Sequence, residues 1–213
     1  MSYLSRIQPF HLDVLQEVGN IGAGHAATAL SQLLNKGIDM KVPAVKVVPF
    51  DEISELTGGD ESVVAAVFLR IEGDAPGNMF FMVPVEDATK LIQSVTGDVS
   101  IDFARPPVCE LGISAFNETG NIMAGSYLTA FSDFTSLKMQ PTPPVMAVDM
   151  TIAILSHGLI ELSQAGDLAI IIETEINERE ETNETTIKGH FFLLPDPDSL
   201  KKIFSAVGVH IDE

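Results

Sequence analysis

The chain contains the frame E-x-G-N-I-x-A-G twice, and each copy places a glutamate three residues before an asparagine. The pairs are Glu17 with Asn20 and Glu118 with Asn121, displaced by 101 positions. At helical spacing the two side chains of a pair point the same way, with Cβ atoms about 5–6 Å apart. Because an asparagine amide both donates and accepts hydrogen bonds, it can hold and aim a water molecule without ionising.

Such pairs are suited to positioning rather than to nucleophilic or strong-base chemistry. The glutamate can accept a hydrogen bond from a cation on a docked molecule, while the asparagine orients water against a group made electrophilic elsewhere. Phosphoryl transfer depends on this kind of help, because its catalysis is mostly alignment and charge stabilisation. A single Glu-x-x-Asn is more often a solvated helix face, and it is the duplication that favours two working sites.

Other kinds of site fit the sequence less well. The glycines of residues 19–24 run G-x-x-G-x-G, with no preceding strand and no following Lys-Ser/Thr, which excludes the dinucleotide and P-loop fingerprints. The five histidines show no HxxxH or HExxH spacing and the chain has one cysteine, so no zinc site is predicted. A serine with a histidine remote in sequence, and a pair of glutamates as in glycosidases, stay open at this point.

Two long helices are expected to position the pairs. The apolar spacing predicts helices over residues 11–36 and 108–134, each with one apolar face. The predicted apolar faces carry Leu15, Val18, Gly22, Ala26, Ala29 and Leu33 in the first helix, and Phe116, Thr119, Met123, Tyr127, Ala130 and Phe134 in the second. The opposite stripes carry Asp13, Glu17, Asn20 and Gly24 in the first, and Ser114, Glu118, Asn121 and Gly125 in the second.

The glycines of these helices have two predicted roles. Gly24 and Gly125, one turn beyond each asparagine, keep the stripe low and open to a docking partner. Gly19 and Gly22 are expected to permit close helix packing, which would offset their cost to helix stability.

The sequence after each helix is typical of β-strands. The predicted strand segments are 38–49, 63–72, 76–84, 137–149, 167–176 and 187–195. The first and fourth carry Pro43 and Pro144, which indicate a strand start or a sheet edge. Residues 80–97 match 191–208 at a displacement of 111, and each stretch ends in a predicted short helix. The ten extra residues fit the polar segment 177–186, predicted to be a solvated hairpin tip.

These elements predict an α+β fold made of two similar halves, residues about 10–100 and 107–213, within one domain over residues 1–213. The two long helices are expected to lie side by side on a mainly antiparallel sheet, with pseudo-two-fold symmetry. Residues 150–165 are longer and more helical than their counterpart at 51–57. We expect this segment to pack into the core. The alternative is a partner-binding helix present in one half only.

The charge balance restricts the partner. Thirty acidic residues against 12 basic residues give a net charge of −18, which repels nucleic acid and anionic lipid. A protein is therefore the expected partner, and an anionic substrate would have to arrive with groups that neutralise it. No apolar run reaches the ~18–20 residues of a membrane span. No signal peptide is recognisable, and the single Cys109 fits a reducing cytoplasm.

The duplicated motif resembles that of the CheC/CheX/FliY family of bacterial chemotaxis phosphatases, and the resemblance covers essentially the whole chain. The stretch PPVMAVDM, the strand FFLLP and the short C-terminal helix share in it. The family motif is (D/S)-x-x-x-E-x-x-N, and this chain meets it twice, with Asp13, Glu17 and Asn20 and with Ser114, Glu118 and Asn121.

The resemblance implies hydrolysis of the aspartyl phosphate on the response regulator CheY. Asn20 and Asn121 would orient the attacking water, and Glu17 and Glu118 would pair with a lysine of the regulator. Mg²⁺ would be supplied by the regulator, so no metal or cofactor of the chain's own is expected. A second implied partner is the deamidase CheD, whose contact we assign to residues 149–165, beginning with Asp149.

Both motif copies are expected to be competent, because aspartate and serine both belong to the motif. An alternative function is that of a non-catalytic module that binds and sequesters phosphorylated CheY or CheD. A flagellar-switch component like FliY is a weaker alternative, since it would be expected to need additional motor-binding domains.

Overall fold

Two 26-residue helices, α1 (Pro9–Leu34) and α4 (Glu110–Thr135), pack against each other on one side of the molecule. α1 has a proline in its first turn, where the missing N–H leaves no helix bond unmade. Each helix ends at a residue with a left-handed backbone, Asn35 or Ser136. The structure is a computed structural model, and it describes residues 7–49, 52–161, 168–179 and 184–208.

In the part of the chain that the structure describes, eight strands form one antiparallel sheet beneath these helices. The strands are β1 (Gly37–Lys41), β2 (Val45–Pro49), β3 (Val63–Gly73), β4 (Gly77–Pro84), β5 (Met139–Pro141), β6 (Val145–Met150), β7 (Leu168–Arg179) and β8 (Glu184–Pro195). The sheet order is β1-β7-β8-β4-β3-β5, with β2 also on β7 and β6 also on β3. Together with the helices, this sheet confirms the predicted α+β fold.

The edge strands of each half of the chain pair with a strand of the other half. β1 and β2 pair with β7, whereas β5 and β6 pair with β3. β4 and β8 pair with each other in the middle of the sheet. The repeat is therefore interlocked, because the edge strands that follow each long helix hydrogen-bond to the opposite half.

A bend separates the two edge strands on each side. Residues 42–44, here the first bend, join β1 to β2, and residues 142–144, the second bend, join β5 to β6. Pro43 and Pro144 lie in these bends, at the two sheet edges that prolines favour. The long predicted segments 38–49 and 137–149 are thus each two short strands.

Both faces of the sheet are covered. The larger core lies between the sheet and α1, α4 and two shorter helices, α3 (Val85–Thr96) and α6 (Pro197–Ala206). A smaller core on the other face involves α2 (Ile53–Leu56) and α5 (Thr151–Glu161). Ile154 and Leu155 of α5 are buried there, as expected for core packing. No helix among the described residues is long and apolar enough to cross a bilayer.

Close approach of α1 to α4 depends on Gly22. A Cβ atom added to Gly22 would lie 2.9 Å from Tyr127 Cα, closer than such atoms can approach. In the same way, a Cβ atom on Gly120 would lie 2.7 Å from a methyl group of Val67 in β3. At Gly19 the added atom would make only an ordinary contact, 3.4 Å from the Val42 side chain. The predicted packing role is therefore confirmed for Gly22.

The structure corrects the predicted apolar faces in the last turn of each long helix. Leu33 and Phe134 are 55% and 47% exposed, and Ala29 is half-buried. The last buried residues are Leu30 and Phe131, so each helix continues for about one turn beyond the core that it covers.

The structure also corrects the predicted hairpin tip at residues 177–186. β7 continues to Arg179 and β8 resumes at Glu184, which leaves only residues 180–183 outside the described part. The physical reason is the neighbouring strand: β1 pairs with residues 175–179, so the polar sequence there has a partner for its backbone groups.

Candidate functional site

The predicted stripes lie on the faces of α1 and α4 that point away from the larger core. In α1 the exposed members are Asp13, Glu17 and Gly24, and the half-buried member is Asn20. In α4 the exposed members are Ser114 and Glu118, and the half-buried members are Asn121 and Gly125. Each helix thus brings a carboxylate, an amide and a glycine to one surface.

No side chain projects from either stripe at Gly24 or Gly125, and the space above each glycine is open. A Cβ atom added to Gly24 or Gly125 would meet nothing within 4 Å. One turn later, the hydroxyls of Thr28 and Thr129 donate to the carbonyl oxygens of these glycines, at 2.9 and 2.8 Å. The threonine hydroxyls are therefore turned back onto their helices, which leaves the space above each glycine open to a docking molecule.

The first bend holds the side chain of Asn20. The N–H of Val42 donates to Asn20 Oδ1 at 2.9 Å. Since a backbone N–H can only donate, this contact identifies the oxygen end of the amide and leaves its NH₂ group facing elsewhere. One turn earlier on α1, Gln16 Nε2 donates to the carbonyl oxygens of Val42 and Pro43, at 3.0 and 2.8 Å. The bend is thus bonded to α1 through both its N–H and its carbonyl groups.

The second site lacks this support because the sequence differs at the equivalent positions. Pro143 takes the place of Val42 and has no N–H to donate. Asn117 takes the place of Gln16, and its Oδ1 is buried with no hydrogen-bond partner in the described part of the chain. Among the same residues, no hydrogen bond holds the side chain of Asn121. The two sites therefore share their exposed groups and differ in what lies behind the amide.

Neither helix carries a strongly basic side chain. α1 and α4 contain no lysine or arginine, and within the described ranges Glu17 and Glu118 form no ion pair. Each carboxylate is therefore available to a cation from a docked molecule. The charge of a reacting phosphoryl group would have to be stabilised by groups that the partner brings.

The sequence-based prediction did not include two exposed apolar residues at the start of the stripes. Phe10 and Leu111 are 64% and 53% exposed and are again 101 residues apart. Each lies seven residues before its glutamate, which is two helical turns along the same stripe. The sequence does contain a feature that could have identified them: in both copies an apolar residue lies on the polar face of the helix. Apolar side chains beside polar groups are typical of a docking surface.

Asp149, the predicted CheD contact, lies in the exposed edge strand β6. Its Oδ1 accepts a hydrogen bond from the N–H of Met150 at 2.7 Å. Val63, which pairs with Met150, is exposed together with Met150 and Ile152. Side chains from residue 157 onward in the predicted contact 149–165 lie outside the described part of the chain. The partner role of Asp149 stays a prediction.

The structure also bears on other kinds of site. Residues 19–24 lie within α1, so their glycines form no phosphate-binding loop. Ser126 donates its hydroxyl to the carbonyl oxygen of Ile122 at 2.8 Å, which engages it within its own helix. In the ranges that the structure describes, no three His, Cys, Asp or Glu side chains are grouped as metal ligands.

Comparisons with known proteins identify the family. A sequence model of the CheC-like family matches residues 10–47 and 111–147, which contain both Glu–Asn pairs and both bends. The CheY-P phosphatase CheC of Bacillus subtilis (strain 168) is 44% identical over 211 residues, covering 99% of this chain and 100% of that protein. The flagellar motor switch phosphatase FliY of the same organism is 36% identical over 140 residues, which are 65% of this chain and 36% of that protein.

A solved structure shares the fold. The X-ray crystal structure of FliY from Thermotoga maritima superposes with a TM-score of 0.72 at 19% identity, over 94% of this chain and 97% of that one. The sequence match to the Bacillus subtilis phosphatase extends over nearly the whole of both proteins. The chain therefore belongs to the CheC-like family.

Proposed function

We propose that this protein is a phosphatase that hydrolyses the aspartyl phosphate of the chemotaxis response regulator CheY. The observation that carries the proposal is the presence of both Glu–Asn pairs, exposed on equivalent helix faces, in a chain 44% identical to a CheY-P phosphatase over its length. The two stripes give the protein two docking surfaces for the same regulator.

The chemistry at each stripe is the alignment of water. Asn20 or Asn121 orients a water molecule in line with the phosphorus, and Glu17 or Glu118 accepts a hydrogen bond from a lysine of the regulator. The water attacks the phosphorus, the bond to the aspartate oxygen breaks, and the phosphate leaves without a covalent enzyme intermediate. Alignment of this kind is effective because it removes the entropic cost of collecting the reactants.

The regulator supplies the positive charges of the reaction. The absence of lysine and arginine from α1 and α4 fits a substrate that arrives with its own lysine and its own Mg²⁺. The regulator's cations also overcome the repulsion expected between a phosphate and a chain of net charge −18. We place the reaction in the cytoplasm, with CheY.

The test of this function is the decay of phosphorylated CheY in the presence of variants. Asn20→Ala combined with Asn121→Ala is expected to abolish the accelerated release of phosphate while the thermal unfolding transition remains. Gln140→Ala, which removes an exposed amide from the sheet edge, is the matched control and is expected to keep full activity. Full activity of the double variant would contradict the proposed mechanism.

CheD is the second partner in this proposal, with Asp149 in its contact surface. The support is the exposed end of the edge strand, where Asp149 is exposed and the nearby apolar residues Val63, Met150 and Ile152 are exposed as well. Asp149→Asn is expected to weaken CheD binding, measured by calorimetry, and to leave the hydrolysis of phosphorylated CheY without CheD unchanged. If the variant and the natural protein bind CheD with equal affinity, Asp149 is not part of the contact surface.

A further inference from the structure

The two bends are equivalent places in the fold, so their difference in sequence can be compared directly. Lys41 pairs with Glu175, and Thr142 donates its backbone N–H to the carbonyl oxygen of Arg70 at 2.8 Å. Lys41 and Thr142 are 101 positions apart and take the same position in the two edge ladders, the first as the last residue of β1 and the second as the first residue of the second bend. The next residue is Val42 on one side and Pro143 on the other.

The preceding turn confirms the same alignment. The hydroxyl of Ser31 accepts the N–H of Ile38 at 2.9 Å, and the hydroxyl of Ser132 accepts the N–H of Met139 at 3.3 Å. The two serines are displaced by 101 positions, and so are the two residues that donate to them, as are Val42 and Pro143. A residue with an N–H at position 143 would therefore stand where Val42 stands relative to its asparagine.

We propose that the first bend is a positioning element that preorganises the Asn20 amide, and that the second site, which lacks it, is intrinsically slower. This inference rests on the proposed function, since it concerns the rate at which each site hydrolyses phosphorylated CheY. Val42, through its N–H, and Gln16, through its hold on the bend, are positioning residues that act through Asn20.

The second site is expected to be slower because the Asn121 amide can rotate before the regulator docks, whereas the Asn20 amide is held. The hydrogen bond from Val42 uses one lone pair of Asn20 Oδ1 and fixes the amide plane before the regulator docks. The second lone pair and the two N–H groups remain to hold water. The amide of Asn121 has no such bond and must be ordered when the complex forms. Immobilising a free side chain of this size lowers a rate or affinity by about two- to tenfold.

The direct test gives the second site the missing N–H. Pro143→Val is made together with Asn20→Ala, so that only the second site works, and the decay of phosphorylated CheY is followed over a range of concentrations. We expect kcat to rise by about two- to tenfold with KM unchanged, because docking uses the same exposed stripe. Pro143 is exposed, so the substitution disturbs no core packing.

The same substitution has a matched control. With Asn121→Ala, which leaves only the first site, Pro143→Val is expected to change neither kcat nor KM. An equal rise of kcat in both backgrounds, or no rise in either, would overturn the proposal, because the effect would not depend on Asn121.

The converse test weakens the first site. Gln16→Asn copies the second half and removes the bonds to the Val42 and Pro43 carbonyl oxygens; with Asn121→Ala it is expected to lower kcat by about two- to tenfold at unchanged KM. Equal kcat values for the two single-site proteins, Asn20→Ala and Asn121→Ala, would contradict the proposed difference. If the double alanine variant keeps full activity, it is the proposed function that fails, whatever the ratio of the two sites.

Discussion

Among individual residues, the exposed groups of each site could be predicted from their spacing in the sequence, whereas the hydrogen bonds that hold them could not. A glutamate and an asparagine three residues apart must share a helix face, and both pairs do so. The bond from Val42 to Asn20 joins groups 22 residues apart and involves a backbone N–H, which has no signature in the sequence. The sequence does indicate at Pro143 that the second site lacks the equivalent bond, because a proline has no backbone N–H to donate.

Tyr127 gives a second residue-scale prediction, which concerns stability. Its hydroxyl lies 3.0 Å from Thr174 Oγ1 inside the larger core, and burial raises its pKa to about 12, with the Thr174 hydrogen bond acting in the opposite direction. The unfolded chain loses this proton near pH 10, the ordinary value, while the folded protein keeps it. The free energy of unfolding should therefore fall by about 1.4 kcal/mol per pH unit between these values.

The measurement is urea unfolding of the natural protein and of Tyr127→Phe from pH 8 to 11.5. At pH 8 the variant should be less stable by about 1 kcal/mol, the usual net contribution of such a hydrogen bond. Above pH 10 its stability should decline less steeply, so that the two curves converge. Parallel curves across this range would show that Tyr127 ionises equally in the folded and unfolded states.

At the element scale, helix lengths, strand segments and the stripes were predictable, and the ends of elements were not. Leu33 and Phe134 have the spacing of core residues but lie beyond the core, because spacing does not reveal where the partner of a helix stops. The polar residues 177–179 form a strand, since the neighbouring strand β1 pairs with them. In both cases a tertiary neighbour overrides the local pattern.

The glycines of α1 provide the element-scale prediction. Gly22→Ala places a Cβ atom 2.9 Å from Tyr127 Cα and must separate α1 from α4, so we expect a loss of about 1–3 kcal/mol in the free energy of unfolding. Gly24→Ala is the matched control on the same helix, because its Cβ atom meets nothing within 4 Å. It should raise helix stability by up to about 1 kcal/mol. Both variants are measured by denaturant unfolding. If Gly22 had no packing role, Gly22→Ala would raise the free energy of unfolding as Gly24→Ala does.

At the scale of the whole molecule, the repeat was visible in the sequence and the exchange of edge strands was not. A repeated sequence suggests two separate bodies that lie side by side. In the structure, however, β1 and β2 pair with β7, and β5 and β6 pair with β3. These pairings join residues more than 65 positions apart, and the segments have no feature that identifies their partner. The interlocked sheet holds both long helices on one face, so that two equivalent stripes are presented by one rigid arrangement.

The charge of the whole molecule fits this arrangement. The chain has a net charge of −18 and its two long helices contain no lysine or arginine. Under the proposed function, the cations of each site come from the docked regulator, and the chain would bind phosphate only when the phosphate is presented with its own metal and lysine. The same proposal distinguishes this protein from a general phosphatase, which would need positive groups of its own to stabilise the charge of the reacting phosphate.

Counting turnovers distinguishes catalysis from sequestration of the regulator. Phosphorylated CheY is mixed with a hundredth of its amount of this protein, and released phosphate is measured against the spontaneous decay of CheY alone. Catalysis predicts that most of the phosphate is released at an accelerated rate, many molecules per molecule of protein. If the effect instead requires equal amounts of the two proteins and saturates there, the protein sequesters the regulator and is not its phosphatase.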